Sequence, residues 1–237
     1  MKIAVFSTKQ YDQEFLDRFN NPFEHTLTYF DASLNKDTAN LAQGFEGVCV
    51  FVNDTLDKET LKKIALNGIR VIGLRCAGFN NVDLETAREV NIKVVRVPSY
   101  SPHAVAEHAV ALILSLNRKI HKAFNRVREN NFSLEKLIGF DLYEKTIGVV
   151  GTGEIGSVFS HIMLGFGCRV IAYDPVESVE LKSKGVDYVP FDRLLQESDI
   201  ISLHCPLTSG TRHIINGNTF SLMKEGAMLI NTGRGAL

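Results

Sequence analysis

The chain has 237 residues, between one and two domains at roughly 150 residues each, and carries 26 Lys and Arg against 27 Asp and Glu, for a net charge of −1. That balance leaves no broad basic face for a nucleic-acid backbone and no polycation for a membrane surface. With 45% hydrophobic and 22% charged residues, disorder and a collagen-like chain are excluded, and a soluble globular protein with a sizeable core is expected. Cys49, Cys76, Cys168 and Cys205 form no Cys-x-x-Cys pair, so neither a zinc site nor a disulfide scaffold is indicated. The N-terminal MKIAVFSTKQYD turns polar at once, unlike a secretory signal. The most apolar stretch, Ala104 to Leu116, contains Glu107 and His108 and is shorter than the ~20 residues of a bilayer span. A cytoplasmic protein is the expectation.

The first hundred residues alternate short apolar runs with helical patterns. Lys2–Phe6, Thr26–Phe30, Gly47–Val52, Arg70–Leu74 and Ile92–Val97 read as buried strands, and Tyr11–Phe19, Asp57–Leu66 and Asp83–Val90 as helices. Asp57 and Asp83 stand where N-caps belong. Such alternation predicts a mostly parallel α/β sheet. At Pro98-Ser-Tyr-Ser-Pro102 the pattern breaks, and a domain boundary is expected near residue 100. A long helix from Pro102 to about Ile120 follows, apolar at Ala106, Ala109, Val110, Ile113 and Leu114, which points to burial between two bodies and to a homo-oligomer. Glu107 and His108, adjacent on that helix, read as core or interface packing. A polar stretch, His121 to Leu142, then leads into the second half, and the short basic run Arg118–Arg128 that overlaps it reads as a solvated helical surface.

The second half repeats the α/β alternation. Thr146–Val150, Arg169–Tyr173, Asp199–Leu203 and Ala227–Asn231 read as strands, with helices at Ile155–Phe166, Asp192–Gln196 and Thr219–Met223. The first strand runs into Gly151-x-Gly153-x-x-Gly156 and then a helix, the context a dinucleotide fingerprint requires. Gly151 permits the tight turn, Gly153 lets backbone approach a pyrophosphate on the helix N-terminus, and Gly156 allows close helix–strand packing. The next strand ends in Asp174, 18 residues after Gly156. A carboxylate there accepts ribose hydroxyls and repels a 2′-phosphate, which favours NAD over NADP; alternatively Asp174 caps a loop. Asp199-Ile-Ile-Ser-Leu-His-Cys-Pro206 brings His204 and Cys205 to the C-terminal sheet edge. Neither has an acid–base partner nearby in sequence, so the backbone there reads as lining for the cofactor rather than as catalytic machinery. Leu229-Ile-Asn-Thr-Gly-Arg-Gly235 delivers Arg234 to the same edge, either as a surface turn or as an anion clamp for a carboxylate.

Together these motifs resemble the D-isomer-specific 2-hydroxyacid dehydrogenase family along the whole chain, on FSTKQYD, FVND, LRCAGFNNVDL, VVRVPSYSP, AEHAV, LNRKIH, NFSLE, GTGEIG, SLHCPLT and NTGRGAL. Cys76 to Asp83 combined with Val97 to Pro102 makes the resemblance nearest to the bacterial fermentative D-lactate branch. The resemblance implies two α/β lobes: a flavodoxin-like substrate lobe over 1–100 and a Rossmann-type, doubly wound NAD-binding lobe over 101–237. It implies that Arg234 binds the substrate carboxylate and polarises the carbonyl. The Cys76-Ala77-Gly78 loop would hold that carboxylate by backbone N–H groups, and Tyr100 would face the substrate pocket. For NAD it implies Glu154 and Ile155 at the pyrophosphate turn, Asp174 at the ribose, and Cys205, Pro206, Thr211, Thr232, Gly233 and Arg234 along the rest of the cleft. The implied reaction is pyruvate with NADH and a proton to D-lactate and NAD, a histidine paired with a carboxylate protonating the oxygen.

In the family that Glu and His follow the NTxRG motif, whereas this sequence stops three residues after Arg234. His25, His103, His108, His121, His161, His204 and His213 do not match the family histidine. The chain is therefore read as an N-terminal fragment, with the cofactor sheet short of its later strands and negligible turnover by itself. Two other readings stay open: a D-2-hydroxyacid dehydrogenase for a bulkier 2-keto acid, and a non-catalytic NAD-binding remnant.

Overall fold

A computed structural model describes residues 1–99 and 101–237. The chain divides into two compact units, Met1–Tyr100 and Ser101–Leu237.

The first unit runs β1 (Lys2–Val5), α1 (Gln10–Asn20), β2 (Thr26–Tyr29), a 3-10 turn (Ala39–Ala42), β3 (Gly47–Val50), α2 (Lys58–Leu66), β4 (Val71–Leu74), α3 (Leu84–Glu89) and β5 (Lys93–Arg96). Its five strands are all parallel in the order β2-β1-β3-β4-β5, the flavodoxin-like order. The carboxylates of Asp57 and Asp83 accept the backbone N–H groups of Thr60 and Thr86 at 2.9 and 3.0 Å, capping α2 and α3. Ala4, Phe6, Val48, Val50, Ile72 and Leu74 from the strands pack with Leu61 and Ile64 of α2 in one core.

The second unit runs α4 (Pro102–Arg118), α5 (Ile120–Arg128), β6 (Thr146–Val150), α6 (Glu154–Gly165), β7 (Arg169–Tyr173), α7 (Val179–Ser183), β8 (Asp187–Tyr188), α8 (Phe191–Glu197), β9 (Ile200–Leu203), α9 (Gly217–Phe220) and β10 (Met228–Asn231). Its sheet is parallel in the order β10-β9-β6-β7-β8, the Rossmann arrangement with its switch point between β6 and β9. Strand alternation builds a core on each face. Ile147, Val149, Val170, Ala172 and Ile200 point to one side with Phe159 of α6, and Val150, Ile171, Ile201 and Leu203 to the other with Leu194 of α8. That is why these strands read as continuous apolar runs rather than alternating ones.

Several elements differ from the sequence reading. Helix α4 stops at Arg118 because Lys119 adopts a left-handed conformation (φ 51°), and α5 restarts inside the stretch read as polar connection. The short α7 and the two-residue β8 carry too few residues to show a period. The helix expected at Thr219–Met223 lies two residues earlier, because Asn216 accepts the N–H groups of Asn218 and Thr219 and so sets its start. Ala106, Ala109, Val110 and Ile113 of α4 are buried within the second unit's own core, whereas Glu107 and His108 are exposed on its other side. A core role for those two does not hold.

Candidate NAD-binding and substrate-carboxylate site

Parallel register places the candidate residues. Val150 pairs with Tyr173 and with Leu203, and Leu203 pairs with Asn231, so four strands end level. One step further along each strand stand Gly151, Asp174, His204 and Thr232. Four motifs dispersed over about eighty residues of sequence thereby meet at one sheet edge, the edge where α/β folds bind ligands.

At the turn after β6, Gly151 has φ +93°, and a Cβ on it would lie 2.6 Å from the Cys205 backbone nitrogen. Only glycine satisfies both the conformation and the approach. A Cβ on Gly156 would lie 2.0 Å from the Gly151 carbonyl oxygen, so α6 crosses the turn at backbone contact. At Gly153, by contrast, a Cβ would meet nothing within 4 Å. Gly153 is also the N-cap of α6 and offers no side-chain cap to the helix start. The open space thus lies where the positive end of the helix dipole points, which suits an anionic group. Glu154 and Ile155 open this helix.

Asp174 closes the other side of the turn. Its Oδ2 accepts the Thr152 N–H at 2.6 Å and its Oδ1 accepts the Val176 N–H at 2.8 Å. The carboxylate is held by backbone and half-exposed, with acceptor capacity left for a ligand hydroxyl.

His204 lies under α6, its ring 4.9 Å from that of Phe159 and its Nε2 2.9 Å from Ser202 Oγ. Burial lowers its pKa from 6.5 to about 4, so the imidazole is neutral at physiological pH. Among the described residues it pairs with Ser202 and packs on Phe159, and no carboxylate bonds to it. Burial also raises the pKa of the neighbouring Cys205 thiol, keeping it protonated and inert. The Cys205 backbone lies beside both Gly151 and Gly233, linking the β6 turn to the β10 turn. Thr211 closes its own loop: its hydroxyl donates to the Pro206 carbonyl at 2.6 Å and accepts the Thr208 N–H at 2.8 Å.

The β10 turn is folded by Asn231, whose Oδ1 accepts the Gly233 N–H and whose Nδ2 donates to the Arg234 carbonyl, both at 2.9 Å. His213 and Ile215 donate backbone N–H groups to Ala236 and Leu237, and the Leu237 side chain is buried, so the NTGRGAL segment is anchored on both sides of Arg234. The Arg234 guanidinium is exposed and donates to the carbonyl of its neighbour Gly233 at 3.2 Å. It enters no ion pair among the described residues.

Beside this turn, α4 contributes a wall the motifs did not reveal. Ala104, Val105, His108 and Leu112 line a cleft of about 410 Å³ with Asn231, Thr232 and Gly233. Ala104, His108 and Leu112 form an i, i+4 row along α4, away from the buried Ala106 and Ala109.

In the first unit, Cys76, Ala77 and Gly78 leave β4 at its C-terminal end. The Ala77 carbonyl accepts Arg96 Nη1 at 2.9 Å, and the same nitrogen donates to the Pro98 carbonyl at 3.1 Å. Arg75 donates to the Phe6 and Ser7 carbonyls at 2.9 and 3.2 Å. Tyr100 lies outside the described residues.

Residues 110–237 match the family model for the D-isomer specific 2-hydroxyacid dehydrogenase NAD-binding domain. The D-lactate dehydrogenase of Escherichia coli (strain K12) is 52% identical over 237 residues, covering all of this chain and 72% of its own length. The chain belongs to the D-isomer specific 2-hydroxyacid dehydrogenases. Among solved members of the family, the apo structure of D-lactate dehydrogenase from Escherichia coli superposes with a TM-score of 0.94 at 51% identity, covering 100% of this chain and 75% of that one. The D-lactate dehydrogenase from Aquifex aeolicus complexed with NAD and lactic acid gives 0.86 at 38% identity, covering 99% and 69%. The family is NAD-dependent, and the residues here suit that cofactor: open space at Gly153, an uncapped helix start, and a backbone-held carboxylate at Asp174. Among the described residues no helix is long and apolar enough to cross a membrane.

Proposed function

We propose that this chain carries the NAD-binding and substrate-carboxylate-holding residues of a D-lactate dehydrogenase, which interconverts pyruvate and D-lactate. The observation that carries the reading is the level ending of four parallel strands, which sets the glycine turn, Asp174 and the NTGRG turn along one edge. In this reading Gly153 and the first turn of α6 receive the pyrophosphate, and Asp174 accepts the adenosine ribose hydroxyls. Cys205, Pro206, Thr232 and Gly233 line the cofactor with backbone. Thr211 keeps the 206–211 loop in shape. NAD, when bound, supplies or accepts the hydride. Arg234, exposed and without an ion-pair partner among the described residues, holds the 2-keto acid carboxylate and polarises its carbonyl; the family resemblance gives the Cys76–Gly78 backbone and Tyr100 substrate-binding roles as well. A carboxylate excludes a 2′-phosphate, so NAD is used in preference to NADP. Cys49, Cys76, Cys168 and Cys205 stand as thiols outside any disulfide, which accords with a cytoplasmic setting. Exposed apolar side chains at Ile120, Phe124, Val127, Phe132, Leu134 and Ile138 support self-association.

Protonation of the carbonyl oxygen calls for a histidine backed by a carboxylate. The one His–carboxylate ion pair among the described residues, His161 with Glu180 at 3.6 Å, joins α6 to α7 rather than standing at the β10 turn. The 237-residue polypeptide on its own is therefore expected to bind NADH without turning over pyruvate. Titration of purified chain by NADH fluorescence, followed by pyruvate, phenylpyruvate and 2-ketoisocaproate, tests the whole reading. Saturable NADH binding that pyruvate or oxamate perturbs, with Arg234→Gln abolishing the perturbation while NADH still saturates the chain, is the expected result. Absence of NADH binding overturns the cofactor site, a response to the bulkier acids alone overturns pyruvate, and steady NADH oxidation by the purified chain overturns the expected inactivity.

A further inference from the structure

The hydroxyl of Tyr188 is a polar group that neither the fingerprint nor the proposed roles use. Tyr188 sits in β8, at the edge of the sheet, with its ring packed half-buried on the core beneath α6. Its hydroxyl donates to Thr152 Oγ1 at 2.8 Å and accepts the Ser178 N–H at 2.9 Å. Thr152 is the residue between Gly151 and Gly153, and Ser178 caps the start of α7 by accepting the Leu181 N–H. The same two segments are joined a second time by Asp174, which takes the Thr152 N–H on one oxygen and the Val176 N–H on the other. Tyr188 and Asp174 therefore close a ring of hydrogen bonds: Asp174 to Thr152 backbone, Thr152 side chain to Tyr188, Tyr188 to Ser178, and the 174–178 loop back to Asp174.

We propose that Tyr188 is a positioning residue for the nucleotide's ribose end, holding the 174–178 loop against the glycine turn so that the Asp174 carboxylate is pre-set for ribose hydroxyls and against a 2′-phosphate. This rests on the reading of Asp174 as the ribose ligand. The physical reason is pre-organisation. Asp174 follows a strand end, and two backbone N–H groups fix its height. The distance between the two segments it bridges is set at the far end by the one hydroxyl that touches both. Remove that hydroxyl and the loop can swing, which weakens a ligand needing the carboxylate in place and spares one that the carboxylate repels.

The test is direct binding of NADH and of NADPH, each followed by its own fluorescence, so that no turnover is required. Tyr188→Phe keeps the packed ring and should raise the NADH Kd about threefold to tenfold, the usual effect of a lost hydrogen-bonded support, while NADPH binding changes less than about twofold. Thr152→Val removes the acceptor from the other side and should do the same. The double variant should be no worse than Tyr188→Phe alone, because Thr152→Val breaks one of the two bonds that Tyr188→Phe already removes. Thr152→Ser should retain wild-type discrimination. Asp174→Ala separates the inference from its premise: it should collapse the NADH over NADPH preference outright. A shift with Asp174→Ala but none with Tyr188→Phe overturns the positioning role alone. No shift with Asp174→Ala overturns both. Equal weakening of NADH and NADPH by Tyr188→Phe reduces the tyrosine to a structural role and overturns the inference as well.

Discussion

The two units build the same object, a five-stranded parallel sheet with loops at its C-terminal edge, and differ in how those loops are secured beside the first turn. In the first unit charged side chains do it. Asp54, 1% exposed, accepts the Ser7 hydroxyl and the Leu34 and Phe51 N–H groups at 2.6–2.7 Å. Arg75 ties the ends of β1 to the end of β4, its Nε 3.5 Å from Asp12, and Arg96 ties the Cys76–Gly78 loop to Pro98. In the second unit the Gly151 turn, α6 and the 204–206 segment touch backbone to backbone, and the helix start is left without a cap. The difference follows from what each edge has to leave open. A pyrophosphate needs bare N–H groups and no side chain in the way, so Asp174 and Tyr188 brace the glycine turn at Thr152 while the start of α6 is left without a side-chain cap. Loops that need only be presented can be held by buried ions, provided every lone pair and N–H finds a partner.

That contrast can be broken, and the largest effect should come from the glycines. Gly156→Ala must push α6 off the Gly151 carbonyl, and we expect NADH binding to fall at least a hundredfold with about 2–3 kcal/mol lost from the second unit. Gly153→Ala should leave thermal stability nearly unchanged while weakening NADH. Equal tolerance of both substitutions would show that backbone contact is not what shapes the turn. Next in size, Asp54→Ala strands three donors in the first unit and should cost about 3 kcal/mol in urea unfolding, with the NADH Kd unmoved. A joint loss of NADH binding would show that the two edges are not independently secured.

A pH prediction sharpens the comparison from inside the second unit. The folded pKa of His204, about 4, lies below the unfolded value near 6.5, so the unfolded chain binds the extra proton first. Stability contributed by the neutral imidazole is therefore complete above pH 6.5 and is lost as pH falls towards 4, by roughly 2 kcal/mol at pH 5. His204→Gln should remove most of that acid sensitivity in urea midpoints compared at pH 8 and pH 5. An unchanged pH slope would show that the ring is not held neutral under α6. The smallest effect is at the helix caps. Asp57→Ala should cost about 1 kcal/mol, because α2, unlike α6, has no ligand to leave its N-terminus open for.

Much of the site was legible because its constraints are local. The positive φ at Gly151 and the close crossing at Gly156 each demand glycine, and their spacing therefore shows in the chain as a motif. Asp57 and Asp83 were legible as caps for the same reason, since a cap bonds to a residue three positions on. Tyr188, Asp54 and the 104–108–112 row were not legible. Their partners lie 36, 47 and 20 residues away for the Tyr188–Thr152, Asp54–Ser7 and Asp54–Leu34 bonds, and the cleft wall faces a strand end more than a hundred residues on. His108 shows the limit of reading a helix by hydropathy alone: on a largely apolar helix it read as core or interface packing, while one residue of rotation from buried Ala109 puts it on the open face.

By itself the sequence determined two parallel α/β segments, a near-neutral chain without a nucleic-acid face, a dinucleotide turn, and the family to which the chain belongs. These follow from periodicity, net charge and short motifs, all of which are properties of neighbours along the chain. Tertiary structure alone decided the rest. It set the strand order, aligned four strand ends so that Gly151, Asp174, His204 and Thr232 share one edge, buried His204 so that its pKa falls, and joined Tyr188 to the glycine turn. Each of those depends on register and burial between distant segments, and through-space contacts of that kind leave no period in the sequence.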